Sequence, residues 1–434
     1  MFDLKKYNKI HIIGIKGVGA SALAMMLKNN NKEVVGSDVS EEFLTDVALK
    51  NAGISVVEFG ESNFSEIDAV VRSVAYNVKN NKDFKKAEDM DLPIFTYPEV
   101  VASIFNKAYG VAVAGSHGKT TTTAMLAYIL DKAGKNLNSI VGSKVNEWGS
   151  GEKTNDLKKD DAIFVLEADE YKKAFLKYDP KVAIITSIDY DHPDCYKTEK
   201  EYEDTFLEFA RSIPEDGFIV LNKDYKNILK ISESLKCKII FYGKDNLINF
   251  ELKTPGRHNL YNANAAYLVA VELGVLNKDA KKYIEEFSGT ARRFDILGTK
   301  NKVTVVDDYA HHPIEIRATL SSAKEFFPNK KIIAIFQPHT YSRTKEFSGD
   351  FISAFDVADE VILTDIYSSA RESIDKELSI KSMSDKIGAK SSYVEQLGDI
   401  AMFCDKYKDE DSVLLFMGAG DIWQLAKLFY EEHI

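Results

Sequence analysis

The chain is 434 residues long, 45% hydrophobic and 28% charged, with a formal net charge of −11. That length exceeds one ordinary core and calls for two or three domains of about 100–200 residues each, while the composition excludes a disordered or low-complexity protein. The acidic balance argues against general attachment to nucleic acid or to an anionic membrane, and the widely spaced Cys195, Cys237 and Cys404 support neither a disulfide framework nor a cysteine metal cluster.

The opening "MFDLKKYNKIHIIGI" runs into a short apolar strand with no long apolar segment, so neither a signal peptide nor membrane insertion is expected, and a cytoplasmic location is. "KIHIIGIKGVGASALAMMLKNNNKEVVGSDV" then reads as strand, glycine turn, helix and second strand, a mononucleotide-binding half-fold. Its Gly14, Gly17 and Gly19 follow G-x-x-G-x-G rather than the dinucleotide spacing G-x-G-x-x-G. Asp38 ends the second strand, where an acidic residue meets a ribose in dinucleotide sites, so on these residues alone an NAD-dependent enzyme stays open. Two prolines and a short helix in "DLPIFTYPEVVASIFNKAYG" lead to a boundary near residue 107.

Beyond it, "GVAVAGSHGKTTTTAML" joins an apolar strand to Gly115, Gly118, Lys119 and Thr120 at the start of a helix. Backbone N–H groups at such a turn cradle phosphate, glycine lets the anion approach, lysine adds a point charge and threonine offers a hydroxyl to Mg2+. Val113 stands where the strict phosphate-loop pattern needs glycine, so only the shorter G-x-x-G-K-T is present. The strands "AIFVLEAD" and "KVAIITSI" are apolar throughout, as in a parallel sheet, and strand carboxyl ends are where such sheets place ligands. One end carries Glu167, Asp169 and Glu170, the other Asp189, Asp191 and His192. Because Mg2+ takes few protein ligands, Glu167 and His192 are the functional candidates, and Glu170, Asp189 and Asp194 read as solvated loop residues. "TPGRHNLYNANAAYLVAVEL" predicts a helix opening at Asn262 or nearby, with His258, Asn259 and Asn262 able to hydrogen-bond a nucleobase or to order the loop itself. A third α/β unit begins near residue 290 and puts Asp308, His311, His339 and Arg343 at strand ends. The adjacent His311 and His312 lack any further ligand at zinc spacing, so zinc is set aside.

Taken in order, "HIIGIKGVGASALA", "AGSHGKTTTTAM", "EADEY", "IDYDHPD", "PGRHNLYNANAA", "GTARRFD", "DDYAHHPIEI", "FQPHTYSRTK" and "MGAGDIW" resemble the Mur ligases, and within them the alanine-adding branch, over nearly the whole chain. The resemblance implies an α/β protein of three domains. These are a Rossmann-like N-terminal domain for a UDP-sugar over 1–107, a central P-loop-type ATPase domain over 108–290, and a C-terminal α/β Rossmann-like domain over 291–434 that closes over ATP and receives the amino acid. It also implies ATP- and Mg2+-dependent joining of L-alanine to the carboxylate of UDP-N-acetylmuramate through an acyl phosphate, a step of peptidoglycan precursor synthesis.

By the same resemblance Gly14, Gly17, Gly19, Asp38 and Ser73 serve the UDP-sugar rather than NAD. Gly115, Ser116, His117, Gly118, Lys119, Thr120 and Thr121 hold ATP, and Thr120, Glu167 and His192 are Mg2+ ligands. His258, Asn259 and Asn262 meet adenine, Arg293 and Asp308 serve the nucleotide, and Tyr309, His311 and Arg343 face the amino acid or the reacting carboxylate. Lys119, His192, His311 and Arg343 form the catalytic set. The chain departs from the family at Lys16, at Tyr171 and Lys172, and at Thr340, where some members have the arginine of an alanine-carboxylate contact. Residues 201–213 hold no lysine to match the carboxylated lysine of sister ligases, in agreement with the alanine branch. The runner-up is the relative that attaches a tripeptide to the same UDP-sugar.

Overall fold

Short runs of valine, isoleucine and leucine build three parallel-rich sheets in the computed structural model, which describes residues 2–367, 375 and 378–433. The first sheet holds β1 (Lys9–Ile13), β2 (Glu33–Asp38), β3 (Ser55–Glu58), β4 (Ala69–Arg72) and β5 (Ile94–Thr96) in the order β3-β2-β1-β4-β5, all parallel. The order reverses between β1 and β4, so the turn after β1 opens on a switch point.

The second sheet holds β6 (Tyr109–Ala114), β7 (Leu137–Val145), β8 (Ser150–Lys153), β9 (Ile163–Glu167), β10 (Val182–Ile185), β11 (Phe218–Asn222) and β12 (Lys238–Tyr242). Their order is β12-β11-β10-β6-β9-β7-β8, with β7 and β8 antiparallel. β6 is therefore flanked by β9 and β10, with Val113 opposite Glu167 and Ala114 opposite Ile185. The turn after β6 and the segments after β9 and β10 share one sheet edge.

The third sheet holds β13 (Asp295–Lys300), β14 (Val303–Asp308), β15 (Lys331–Phe336), β16 (Glu360–Leu363), β17 (Ser391–Tyr393) and β18 (Ser412–Met417) in the order β13-β14-β18-β15-β16-β17, with β13 and β14 antiparallel. Alternate residues face two cores, one including Val306, Leu320 and Phe336, the other Val305, Ile335 and Phe429.

The described chain divides into two compact units. The first comprises Met1–Asp189, Lys200–Glu251 and Tyr261–Ser288 and contains the first two sheets; the second comprises Tyr190–Glu199, Leu252–Leu260 and Gly289–Ile434 and contains the third. The helix expected to open near Asn262 instead runs Arg257–Glu272. Pro255 and Gly256, the latter at φ +107°, supply the break, and Asn259 N donates to Gly256 O at 3.0 Å in the first turn. Among the described residues no helix is long and apolar enough to cross a membrane.

Candidate active site

In the first unit β6 stops at Ala114 and the helix Lys119–Lys132 starts just after a glycine-bounded turn. Gly115 and Gly118 take φ of +137° and +79°, and a Cβ on Gly115 would overlap Thr186 Oγ1 while one on Gly118 would strike the Asn262 side-chain amide. Only glycine gives both this backbone and this closeness. The turn is braced from β10: Ser116 N donates to Ser187 O at 3.1 Å, His117 N to Ser187 Oγ at 3.1 Å, and Thr186 Oγ1 to His117 O at 2.5 Å. Thr121 is buried in the first turn of the helix, and Thr123 spends its hydroxyl on Lys119 O at 2.8 Å.

Thr120 Oγ1 donates to Glu167 Oε1 at 2.9 Å, and Glu167 Oε2 accepts Gly142 N–H at 2.6 Å. A hydroxyl and a carboxylate this close are hard oxygen donors, a set that fits Mg2+. Glu170 corrects the expectation of a solvated loop charge: it is fully buried, and its carboxylate pairs with Lys119 Nζ at 2.9 and 3.2 Å. Burial pulls the Lys119 ammonium down, but Glu170, Asp169 and Glu167 more than offset it and hold it above the ordinary lysine value. Tyr202, from the helix Glu199–Arg211, donates to Glu170 Oε1 at 3.2 Å and lies 2.9 Å from Ser116 Oγ. Asp169 is exposed, and Asp189 is half-buried with its backbone oxygen accepting Ser116 Oγ–H at 2.6 Å.

The first glycine cluster lies at the end of β1 in the same unit. Gly14, at φ +80°, packs so closely that a Cβ would lie 2.6 Å from the Tyr76 ring and 3.6 Å from Ser73 Cβ, and Gly19 is pressed by the Tyr97 ring. Gly17 N donates back to Gly14 O at 3.3 Å. Asp38 is buried, its oxygens accepting Lys16 N–H at 2.7 Å and Val39 N–H at 2.9 Å, so its carboxylate orders this turn. Burial raises its pKa against those two bonds.

In the second unit Asp191 and Arg343 form a two-pronged ion pair, Nε to Oδ1 at 2.9 Å and Nη2 to Oδ2 at 3.2 Å, with both side chains about 5% exposed. Burial opposes the Asp191 charge, yet His192, Arg343 and His312 together hold its carboxyl well below the usual range. His192 has φ +57°, donates its N–H to Asp191 Oδ1 at 2.6 Å and has Nε2 3.8 Å from Asp191 Oδ2. Asp308 is buried too, accepting N–H groups of Phe294 (2.7 Å) and Ala310 (2.8 Å), so it ties the "RRFD" segment to the end of β14. Of the two arginines there, Arg292 is buried and donates to Gly418 O and Gly420 O, while Arg293 is half-buried; each guanidinium lies 5.0 Å from the Tyr309 ring.

His311 Nδ1 lies 2.9 Å from Tyr309 O and 3.4 Å from Glu315, and its ring meets His339 at 6.2 Å. Burial brings its pKa down to about 4, with Arg343 acting in the same sense and Glu315 against it. His258 is likewise lowered to about 4, chiefly by burial, and Asn259 Nδ2 donates to Pro255 O at 2.7 Å. His312 caps the helix Pro313–Phe326, accepting Ile314 N–H at Nδ1, which accounts for the doubled histidine without a metal.

The structure thus groups Lys119, Thr120 and Glu167 in one unit, and Asp191, His192 and Arg343 in the other, where Tyr309, His311 and His339 form a second group. Asn262 lies beside Gly118 in the first unit, whereas His258 and Asn259 belong to the second. Sequence reasoning missed Tyr202, Glu315 and Arg292, and took the buried Glu170 for a solvated charge. For Glu170 and Arg292 the available signal was a residue of the same kind already read in the same motif.

Three family models match the chain: the Mur ligase family catalytic domain over residues 9–109, the Mur ligase middle domain over 113–249 and the Mur ligase glutamate ligase domain over 292–420. The UDP-N-acetylmuramate–L-alanine ligase of Caldanaerobacter subterraneus is 38% identical over 99% of each chain, and that of Clostridium kluyveri 36% identical over 99% of this chain and all of the relative. Among solved structures, the UDP-N-acetylmuramate-alanine ligase MurC of Thermotoga maritima superposes with a TM-score of 0.82 at 28% identity, covering 98% of this chain and 99% of that one.

Proposed function

The chain belongs to the Mur ligase family, and from that premise we propose that it joins L-alanine to the carboxylate of UDP-N-acetylmuramate with cleavage of ATP to ADP and phosphate. The observation that carries an ATP-driven reaction is the turn that presents Lys119 and the Thr120–Glu167 pair together at the end of β6. The choice of L-alanine rests on full-length likeness to relatives of that name. We assign the UDP-sugar to residues 1–107, ATP to 108–290 and the amino acid to 291–434, in a cytoplasmic enzyme.

In this mechanism a muramyl carboxylate oxygen attacks the γ-phosphorus, ADP leaves, and the amine of L-alanine attacks the acyl carbon and expels phosphate. Two anions must meet, so the Lys119 ammonium and the N–H groups from Gly118 to Thr121 at the start of the helix bind and screen the phosphoryl oxygens. Gly14, Gly17, Gly19 and Ser73 orient the UDP-sugar around the turn after β1, with Asp38 holding that turn in shape. Thr120 and Glu167, and His192 for a second ion, would hold Mg2+, which when bound neutralises developing phosphoryl charge. Tyr309 and Arg343 orient the amino acid. His311 points Nδ1–H at Tyr309 O, which leaves Nε2 as a neutral acceptor for the proton the amine loses. Asn262, His258, Asn259, Arg293 and Asp308 serve the nucleotide. Phosphate release from ATP with UDP-N-acetylmuramate tests the reading against L-alanine, glycine, L-serine and the tripeptide. A product heavier by one alanine residue supports it, a tripeptide gain moves the chain to the tripeptide-attaching relative, and no ATP-dependent product refutes ligation.

A further inference from the structure

Glu170 is a buried carboxylate for which the mechanism above has no use, and it holds the residue on which that mechanism depends most. Lys119 Nζ lies 2.6 Å from Gly115 O, 2.9 and 3.2 Å from the Glu170 oxygens and 3.3 Å from Ser116 O, more acceptors than three N–H bonds can serve fully. A phosphate oxygen that takes up this ammonium must displace one of them. The two carbonyls belong to a turn braced by Thr186, Ser187 and Asp189, whereas Glu170 is a side chain with rotatable bonds. One tether of Glu170 is the Tyr202 hydroxyl at 3.2 Å, itself 2.9 Å from Ser116 Oγ, to which Asp189 N donates at 2.8 Å. That chain of polar groups links the carboxylate to the phosphate turn.

We infer that Glu170 is a positioning residue that keeps Lys119 aimed along the turn as an internal counter-ion, and that nucleotide phosphate competes with it for the ammonium. This rests on the reading of the turn as the ATP site and adds to it a built-in anion that weakens binding of nucleotide lacking a metal. A merely structural Glu170 would give the opposite sign when altered, since losing a brace loosens a binding turn.

The test is calorimetric binding of ATP and ADP to the full chain in EDTA, then in Mg2+. Glu170→Gln keeps the size and hydrogen-bonding reach of the side chain but removes its charge, and is expected to bind metal-free ATP about tenfold more tightly than the parent. Tyr202→Phe, which removes one hydrogen bond from Glu170 while leaving its charge, is expected to tighten binding about threefold and carries the test if Glu170→Gln does not fold. In a Lys119→Met background the Glu170→Gln gain is expected to vanish. Unchanged or weaker binding in Glu170→Gln, or in Tyr202→Phe should the former not fold, overturns the inference. So does a gain that persists without Lys119, which would mean plain repulsion between Glu170 and phosphate. Absence of any ATP binding to the parent in Mg2+ refutes instead the ATP-site reading itself, and the inference with it.

Discussion

Replacing Arg343 by methionine separates the two tasks this side chain can have. Its guanidinium and the Asp191 carboxylate meet through bonds of 2.9 and 3.2 Å with about 5% of either side chain exposed. Methionine preserves most of the apolar stem and strands a buried carboxylate that retains the His192 N–H at 2.6 Å. Breaking a buried pair from one side costs about 3–5 kcal/mol, and the remaining amide bond puts the expected loss at the lower end, about 3 kcal/mol. Removing the carboxylate as well, in Asp191→Asn/Arg343→Met, should restore about 1–2 kcal/mol of it, because no charge is left unpaired. The two compact units make a single unfolding midpoint a poor measure, so native-state hydrogen exchange of β15 and β18 amides is the assay, with the KM for L-alanine measured alongside. If the single variant loses less than about 1 kcal/mol, or the two changes add without coupling, the ion pair is not what holds this region together and the reasoning fails. A rise in that KM alone, with exchange unchanged, would make Arg343 purely a substrate contact.

Lys119→Ala should lower turnover by more than about a thousandfold while leaving the protein folded, as checked by circular dichroism beside the phosphate-release assay; near-parental turnover removes it from the mechanism. Gly118→Ala places a methyl group against the Asn262 amide at φ +79°, and the left-handed backbone together with overpacking should cost about 2–4 kcal/mol and weaken ATP binding in titration. His11 is buried against Ser37 Oγ at 3.0 Å, and burial brings its pKa from 6.5 down to about 4. The unfolded chain therefore binds a proton in this window that the folded one does not, so stability is present above pH 6.5 and is lost as pH falls towards 4. His11→Asn should remove about 1.4 kcal/mol per pH unit from that acid slope, measured by native-state hydrogen exchange of β1 and β2 amides at stepped pH; an unaltered slope would show that His11 does not contribute.

What the sequence determined by itself is local. An apolar strand, a glycine, a lysine and a threonine in immediate succession specify a strand–turn–helix, because backbone sterics and helix N-terminal amides act over a few residues, and Gly115 to Thr120 adopt that form. Alternation of apolar strands with helices likewise determined α/β architecture with parallel sheets. Tertiary structure decided everything that required two distant segments to meet. Only the sheet order sets β9 and β10 on either side of β6, so only then do Glu167 and the turn share an edge. Within "EADE" the three acids are chemically alike, and the backbone course after β9 turns Asp169 to solvent and Glu170 inward onto Lys119, a choice made 51 residues away in the chain. Asp191 and Arg343 are separated by 152 residues, and no period or spacing announces their pair. Buried charges find partners because leaving them unpaired in an apolar interior costs several kcal/mol, and which partner is within reach is known only once the sheets are assembled.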